Sequence, residues 1–549
     1  MRDKSDNRPL AAAGEGVTRA GFFRLGLMAA TLPFMGSLPG TAKAQPATGK
    51  VLNLAVAAPP TSLDPHYHTL SPNNMVAQHL FDTLVSRDAK AQLVPALAES
   101  WKMIDDSTWE FKLRQGVKFS NGKDFTADDV VYTIERIPNV INSPGSFAIY
   151  TKAITASEVV DPYTIRFKTN GIYPLLPTDL TNVFIISRSI SATANTGDFN
   201  RGVATVGTGP YRLESYKPDD RVELVRNEDY WGDKPEWQRV NYRFIANNAV
   251  RLAALRAGDV QMIDAVPTGD IEALRKEPSI KLAEIPSLRV IYLRLDFEHD
   301  VSPYITGPNG EKLDKNPLRD LKVRQALSMA INRDAIVSRI MSGAALASGQ
   351  MMPPGANGYV PDLKPMPFDP EKAKKLLAEA GYPHGFGITL IGPNNRYIND
   401  EQIIQAVGQM WQRIGVKTKV EGMPFSVLAQ RSAKNDMSAL LLGWATSGEP
   451  SSALRANLAT RDLARGFGTS NQTGYSNKAL DALIEKALTT ADDKAREDIF
   501  KEAMKMGMDD IGLVPLHMQK NVWALRPGIS YDARADEYTL AMGVTSAKA

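Results

Sequence analysis

Cysteine is absent from the 549 residues, which removes disulfides, thiolate nucleophiles and every thiolate metal site at once. An excess of one charge is also missing: 64 Lys and Arg stand against 61 Asp and Glu. So small a surplus on so long a chain argues against a nucleic-acid surface. The apolar stretch Leu25–Leu38, interrupted by Pro33 and Gly36, falls short of the ~20 residues that span a bilayer. No low-complexity tract or internal repeat occurs. The sequence also lacks a G-x-S-x-G elbow, an H-E-x-x-H zinc helix and a Walker loop, so the commonest hydrolase, metalloprotease and nucleotide-binding motifs are missing.

What is present is the composition of a soluble globular protein, 43% hydrophobic and 23% charged. Single cores stop growing at roughly 250–300 residues, so two or more lobes are expected. The first 44 residues carry six cations (Arg2, Lys4, Arg8, Arg19, Arg24, Lys43) and three anions, then the short apolar stretch and Ala42-Lys43-Ala44. These are the parts of a cleaved secretory signal peptide, with the cut near Ala44–Gln45. Thr18-Arg19-Ala20-Gly21-Phe22-Phe23 resembles the twin-arginine export signal, with Ala20 in place of the second Arg. Export through the general secretory route or a degenerate twin-arginine route fits both. No Cys follows the apolar stretch, so no lipid anchor is expected. Cleavage leaves 58 charges of each sign, and the mature protein has no net field to steer a charged ligand.

Val51–Val56 reads as a buried strand that ends before Pro59-Pro60. Apolar Val76, Leu80, Phe81 and Leu84 recur at helical spacing between Asn74 and Val85. Trp109–Arg114 alternates as a strand does, and Asn121-Gly122 marks a turn. Thr126 and Asp129 have capping-box spacing ahead of a helix that runs to Pro138. Asp369-Pro370 opens another helix, with Ala373, Leu376, Leu377 and Ala380 on one face and Gly381 as its stop. Ser302–Pro317, rich in Pro, Gly and Asn, reads as an excursion ahead of the helical pattern Leu321–Met341. Strands and helices alternate throughout, so the class is α/β.

Five segments resemble a known family in order and spacing. They are Pro95–Trp101, Phe111–Arg136 (FKLRQGVKFSNGKDFTADDVVYTIER), Gly207–Tyr216 (GTGPYRLESY), Arg226–Pro235 (RNEDYWGDKP) and Val323–Val337 (VRQALSMAINRDAIV). Together they are similar to the extracytoplasmic solute-binding proteins of the peptide/nickel importer family, family 5. The resemblance runs from about Val51 to about Pro527. It implies a two-lobed periplasmic binding protein-like fold, type II, cluster C, with a small extra subdomain on the first lobe. On that basis lobe I is expected over 45–92, 203–288 and 515–549, the small subdomain over 93–202 and lobe II over 289–514. It also implies a periplasmic monomer that takes a small solute or short peptide between its lobes and passes it to the permease of an ATP-driven inner-membrane importer. No nucleic acid, metal or cofactor is implied. Most of the quoted segments read as scaffold. Gly207 and Gly209 lack the strand–glycine–helix context of a phosphate cradle, and Pro210 removes a donor amide.

In peptide-binding relatives the segment matching Thr69, Leu70 and Ser71 runs beside the ligand backbone, as an added strand would. The segment Ser71-Pro72-Asn73 and Met75 is closest to the nickel-chelate binders, and Asn74 lies in the same stretch. The second informative stretch is Gly443-Trp444-Ala445-Thr446-Ser447. Peptide binders carry an Asp three residues after the Trp that pairs with the ligand's α-ammonium; here that position is Ser447. Glu449 lies two residues on, in a role that looks structural. Trp444 offers a flat face for stacking. Arg396, Arg461 and Arg465 are candidates for gripping a carboxylate in two parallel hydrogen bonds. Phe147 and Tyr150 are candidate contacts from the subdomain.

His66 and His68 are two apart, on one face of an extended segment, and imidazole suits nickel, copper or zinc. His79, His299, His384 and His517 form no local motif, however, and no His lies between Ala445 and Thr473. Loop packing is the better account of the pair, with a metal-chelate binder as the alternative function. Ser120-Asn-Gly-Lys123 has the S-x-x-K spacing of β-lactam-recognising enzymes. It lies in a turn and not at a helix start, so a hydrolase is the weakest reading.

Overall fold

The computed structural model describes residues 50–547 except 145, 191, 192 and 464. The expected leader and its cleavage point therefore lie outside the described residues. Among these, no helix is long and apolar enough to cross a membrane.

A single 12-stranded sheet runs through the molecule. Its centre is a pair of long antiparallel strands, Lys281–Leu295 and Val514–Leu525. On one side the second of these leads to Met262–Ile263, then Val51–Val56, Arg239–Phe244, Arg221–Arg226 and Tyr211–Lys217. On the other side the first leads to Ala439–Ala445, Gly387–Pro393 and Ile305–Thr306. The pairing of the central strands is regular from Lys281↔Leu525 to Pro286↔Lys520, breaks, resumes at Val290↔Met518 and shifts once more between Ile291↔His517 and Tyr292↔Pro515. Each long strand thus serves the first lobe with one half and the second lobe with the other.

The alternation of side chains explains the layers. In the first lobe Leu52, Leu54, Val240, Tyr242 and Trp523 share one core, while Ala55, Leu255, Ile263 and Ala524 face another. In the second lobe Ile291, Leu293 and Leu441 pack on the helix Asp400–Arg413 through Val407 and Trp411. Val290, Tyr292 and Met518 point the opposite way, onto Leu454, Leu480 and Met504. A separate antiparallel sheet of four strands, Ala98–Asp105, Thr108–Leu113, Thr164–Thr169 and Ile154–Asp161, carries its own core around Phe111, Phe167 and Val130.

The strand Val51–Val56, the strand Thr108–Leu113 and the helices Ala127–Arg136 and Pro370–Glu379 fall where the pattern puts them. Asp129 accepts from the Thr126 amide at 2.9 Å, and Asp369 caps its helix through the Lys372 amide at 2.9 Å. Three expectations need correction. The helix expected over Asn74–Val85 spans Ser71–Leu80, opened by Pro72. It stops because the Gly207–Gly209 segment lies across its end: the Gly209 amide bonds the Leu80 carbonyl at 3.2 Å, and a Cβ on Gly207 would sit 2.0 Å from that oxygen. Leu84 and Val85 join the subdomain core instead. The excursion 302–317 contributes the edge strand Ile305–Thr306. The pattern Leu321–Met341 is not one helix but Leu321–Met329, then Arg333–Ala335 running into one π turn, because Asn332 caps a new start through the Ala335 amide.

Candidate functional site: the space between the lobes

The loop after the first strand is held from below by buried charge. Asp64 is fully buried, and Arg136 donates to both its oxygens, at 2.9 and 2.7 Å. Burial pushes that carboxyl up, but the hydrogen bonds and charge of Arg136 outweigh it and hold the group below its ordinary range. His66 places Nε2 2.7 Å from the Phe184 carbonyl oxygen and Nδ1 2.8 Å from Arg136. Burial, then the Arg136 charge, pushes its pKa down to about 4. Both ring nitrogens are engaged, and His68 Nδ1 lies 3.3 Å from the Thr61 hydroxyl, so the pair packs the loop.

Leu70 is 37% exposed, its amide bonds the His68 carbonyl and its carbonyl accepts from Asn74. Among the described residues no main-chain hydrogen bond engages Thr69. Ser71 starts the helix and is exposed. Asn74 donates to the Tyr538 hydroxyl at 3.2 Å and lines a narrow gap with Gln78, Arg87, Thr181 and Asp536. Met75 is 4% exposed and belongs to the first-lobe core. Phe147 is likewise core, packed 6.1 Å from His66 and 5.9 Å from Tyr150. Hydrophobic packing accounts for both, and neither reaches the gap. Tyr150 is only partly buried and feels the charges of Arg87 and Asp179.

From the second lobe, the strand Ala439–Ala445 delivers the Gly-Trp stretch. Gly443 is required because a Cβ would sit 2.7 Å from the Tyr397 ring, whose hydroxyl donates to the Gly443 carbonyl at 3.2 Å. Trp444 packs against the Val290–Met518 core with its indole N–H buried and without a partner among the described residues. Ala445 is exposed, whereas Thr446 is buried with its hydroxyl lacking a partner among the described residues. Ser447 donates to Glu449 at 2.9 Å, and Glu449 also accepts from the Ser451 amide at 2.7 Å. That carboxylate braces the turn into the helix Ser451–Asn457. Ser447 to Glu449 line an open cavity of 860 Å³ that Leu175, Pro177 and Thr178 of the subdomain line as well.

The arginine candidates are not gathered there. Arg396 is exposed and lies over the Phe425 ring at 5.3 Å. Arg461 is exposed and reaches the Gly468 carbonyl at 3.4 Å, and Arg465 pairs with Glu485 at 2.7 Å. Arg87 and Arg455 instead act electrostatically on Asp179, whose helix neighbours Pro177 and Thr178 line the cavity. Sequence reasoning missed all three residues, as well as Tyr538. None sits in a motif; only the fold brings them together. No hydrogen bond links Ser120 with Lys123: the Ser120 amide bonds the Gly207 carbonyl, and Lys123 is exposed.

The family profile of bacterial extracellular solute-binding proteins, family 5 (middle part), matches residues 92–462, about two thirds of the chain. The chain belongs to that family. Among family 5 relatives, the dipeptide-binding protein of Escherichia coli K12 is 30% identical over 77% of this chain and 81% of its own length. Heme-binding protein A of Haemophilus influenzae is 29% identical over 81% and 82%. A Helicobacter pylori periplasmic binding protein solved with the peptide STSA superposes with a TM-score of 0.72 at 27% identity, over 91% of this chain and 98% of that one. The two-lobed α/β architecture is therefore the family 5 fold.

Proposed function

We propose that this family 5 protein captures a peptide or peptide-like solute between two closing lobes and delivers it to the permease of an ABC importer. It acts as a periplasmic monomer after loss of its leader. The observation that carries this reading is the broken register between Pro286 and Val290. Two strands cross from lobe to lobe, and their ladder is interrupted between Pro286 and Val290, with a second register shift directly beyond it between Ile291 and Tyr292, so the lobes can rotate about this short stretch while the regular pairing from Lys281 to Pro286 is kept. Thr69, whose main-chain groups have no partner among the described residues, can offer a solute hydrogen bonds from the first lobe, and Ser447 lines the cavity from the second. A ligand that touches both lobes only in the closed form shifts the population toward it. The mechanism is binding and release, with no bond chemistry assigned to Ser120 or Lys123. The engaged nitrogens of His66 favour peptide over metal chelate.

Small-angle scattering and tryptophan fluorescence during titration with a defined set of di- to pentapeptides test the reading. A solute of this class is expected to shrink the radius of gyration and change the fluorescence at the same concentration. Binding that leaves both unchanged would sink the closing mechanism. Mass spectrometry of small molecules released from freshly purified protein identifies the natural solute.

A further inference from the structure

Four arginines are buried among the described residues, Arg251, Arg294, Arg324 and Arg333, and their charges are met differently. Arg251 lies 3.7 Å from Asp264 and Arg324 3.0 Å from Asp510. Arg294 lies over the Tyr292 ring at 5.5 Å, whose face attracts a cation. Arg333, on the short helix Arg333–Ala335, is 4% exposed and has only neutral partners. Its Nε donates to the Pro515 carbonyl at 2.8 Å, and Nη1 to the carbonyls of Ser328 and Met366 at 3.1 and 3.4 Å. Nη2 donates to the Ser328 hydroxyl at 2.8 Å. These contacts leave one of the five guanidinium N–H groups without an acceptor among the described residues. Burial pulls the pKa of Arg333 down to about 10, with no carboxylate opposing the shift.

A buried cation is ordinarily paired, because taking it out of water costs more than neutral acceptors return. Arg333 is not sealed off, however. It lines an open pocket of 200 Å³ in the second lobe that gathers three further donors, Ser328, Gln325 and Lys364. Among the described residues the Ser328 hydroxyl accepts from Arg333 and donates to nothing. The side chains of Gln325 and Lys364 have no hydrogen-bond or ion-pair partner there either. Most of the remaining lining is apolar, Met508 and Leu513 included, which strengthens the attraction of a charge held inside. Asp509, exposed at the end of the helix Asp493–Asp509, is the only acid in the lining among the described residues. No residue lines both this pocket and the 860 Å³ cavity.

We infer that this pocket is a second binding site, separate from the interlobe cavity, for a small oxyanion, a carboxylate or a phosphate, with Arg333 as its counter-charge. The spare Nη2–H and the Ser328 hydroxyl are the donors at the buried end, and Gln325 and Lys364 those at the exposed end. Arg333 already joins the helix Leu321–Met329, through Ser328, to the crossing strand Val514–Leu525, through Pro515. An anion that neutralises it therefore stabilises the second lobe by mass action, with no contact to the solute.

Thermal unfolding and calorimetry of the mature, solute-free protein test the inference, with sodium phosphate and sodium acetate compared against sodium chloride at equal ionic strength. At least one of the two oxyanions is expected to bind and to raise the melting temperature where chloride does not, and the tighter of the two names the class. Lys364→Ala is expected to weaken that binding about five-fold. Arg333→Lys, which keeps the charge and loses the fork, should weaken it by about ten-fold or more. Asp509→Asn should tighten it about three-fold, by removing the opposing charge. Lys364 and Asp509 are exposed, so their variants report on the site even where Arg333→Lys fails to fold. Equal stabilisation by chloride, or oxyanion binding that Lys364→Ala and Asp509→Asn leave unchanged, would overturn the inference.

Discussion

Arg136 holds Asp64 with two hydrogen bonds, one to each carboxylate oxygen, across 72 residues of chain. The pair fastens the subdomain helix to the loop that presents Thr69 and Leu70. Asp64 is completely buried, so Arg136→Met leaves an uncompensated charge and is expected to cost about 3–5 kcal/mol, read by denaturant unfolding. The sign of the pH effect follows from the lowered pKa of Asp64. The stabilisation is complete above the ordinary carboxylate pKa and is lost as pH falls through the lowered one. Arg136→Met should therefore flatten the acid limb of the stability curve.

His517 has both ring nitrogens buried and, among the described residues, without a partner, and burial pushes its pKa down to about 3. The unfolded chain takes up a proton near pH 6.5, which the folded chain refuses. Stability is therefore lost as pH drops from 7, by about 2 kcal/mol at pH 5 from this residue. His517→Leu is expected to gain about 1 kcal/mol at pH 7 and to soften the fall toward pH 5. Thermal unfolding at both pH values checks it; a less stable variant at pH 5 would refute it.

Arg289 lies inside the interrupted stretch, one residue before the pairing resumes at Val290, and donates to both oxygens of Glu537, at 3.2 and 3.3 Å. The pair is partly exposed, 20% and 32% at the side chains, so it contributes no more than about 1 kcal/mol. Arg289→Ala should leave the melting temperature nearly unchanged and shift the ligand-free population about five-fold toward the open form. Scattering or single-molecule distance measurements would detect that shift.

Gly207→Ala would force a methyl to within 2.0 Å of the Leu80 carbonyl oxygen. Backbone cannot yield as a side chain does, and a loss of about 3 kcal/mol or more is expected. Protein that does fold should bind solute normally, which distinguishes a scaffold glycine from a ligand-cradling one.

Features fixed by neighbours in sequence were legible: the strand Val51–Val56, the Asp129 and Asp369 caps, and the stop at Gly381 with its positive φ. The end of the first helix was not, because Gly209, which terminates it, is 129 residues away from Leu80. The same divide runs through the site. Gly443-Trp444 announced itself as a motif, and Ser447 was notable for what it replaced. Asp179 carries no local mark, since its chemistry arises from Tyr173, Glu449 and Arg455 converging on it. Met75 and Phe147 look alike in sequence whether they pack a core or touch a ligand, and here they pack cores.

The interrupted ladder between Pro286 and Val290 also sets where size selection can occur. A hinge of two paired strands permits rotation about one line and resists sliding, because sliding would shear the hydrogen bonds on both sides. Rotation moves atoms in proportion to their distance from the axis. Walls close to the hinge keep nearly constant separation and must fit one part of the solute tightly. Walls near the outer rim swing through the widest arc and tolerate variation, so a common anchoring group with variable extensions is the kind of cargo this geometry sorts.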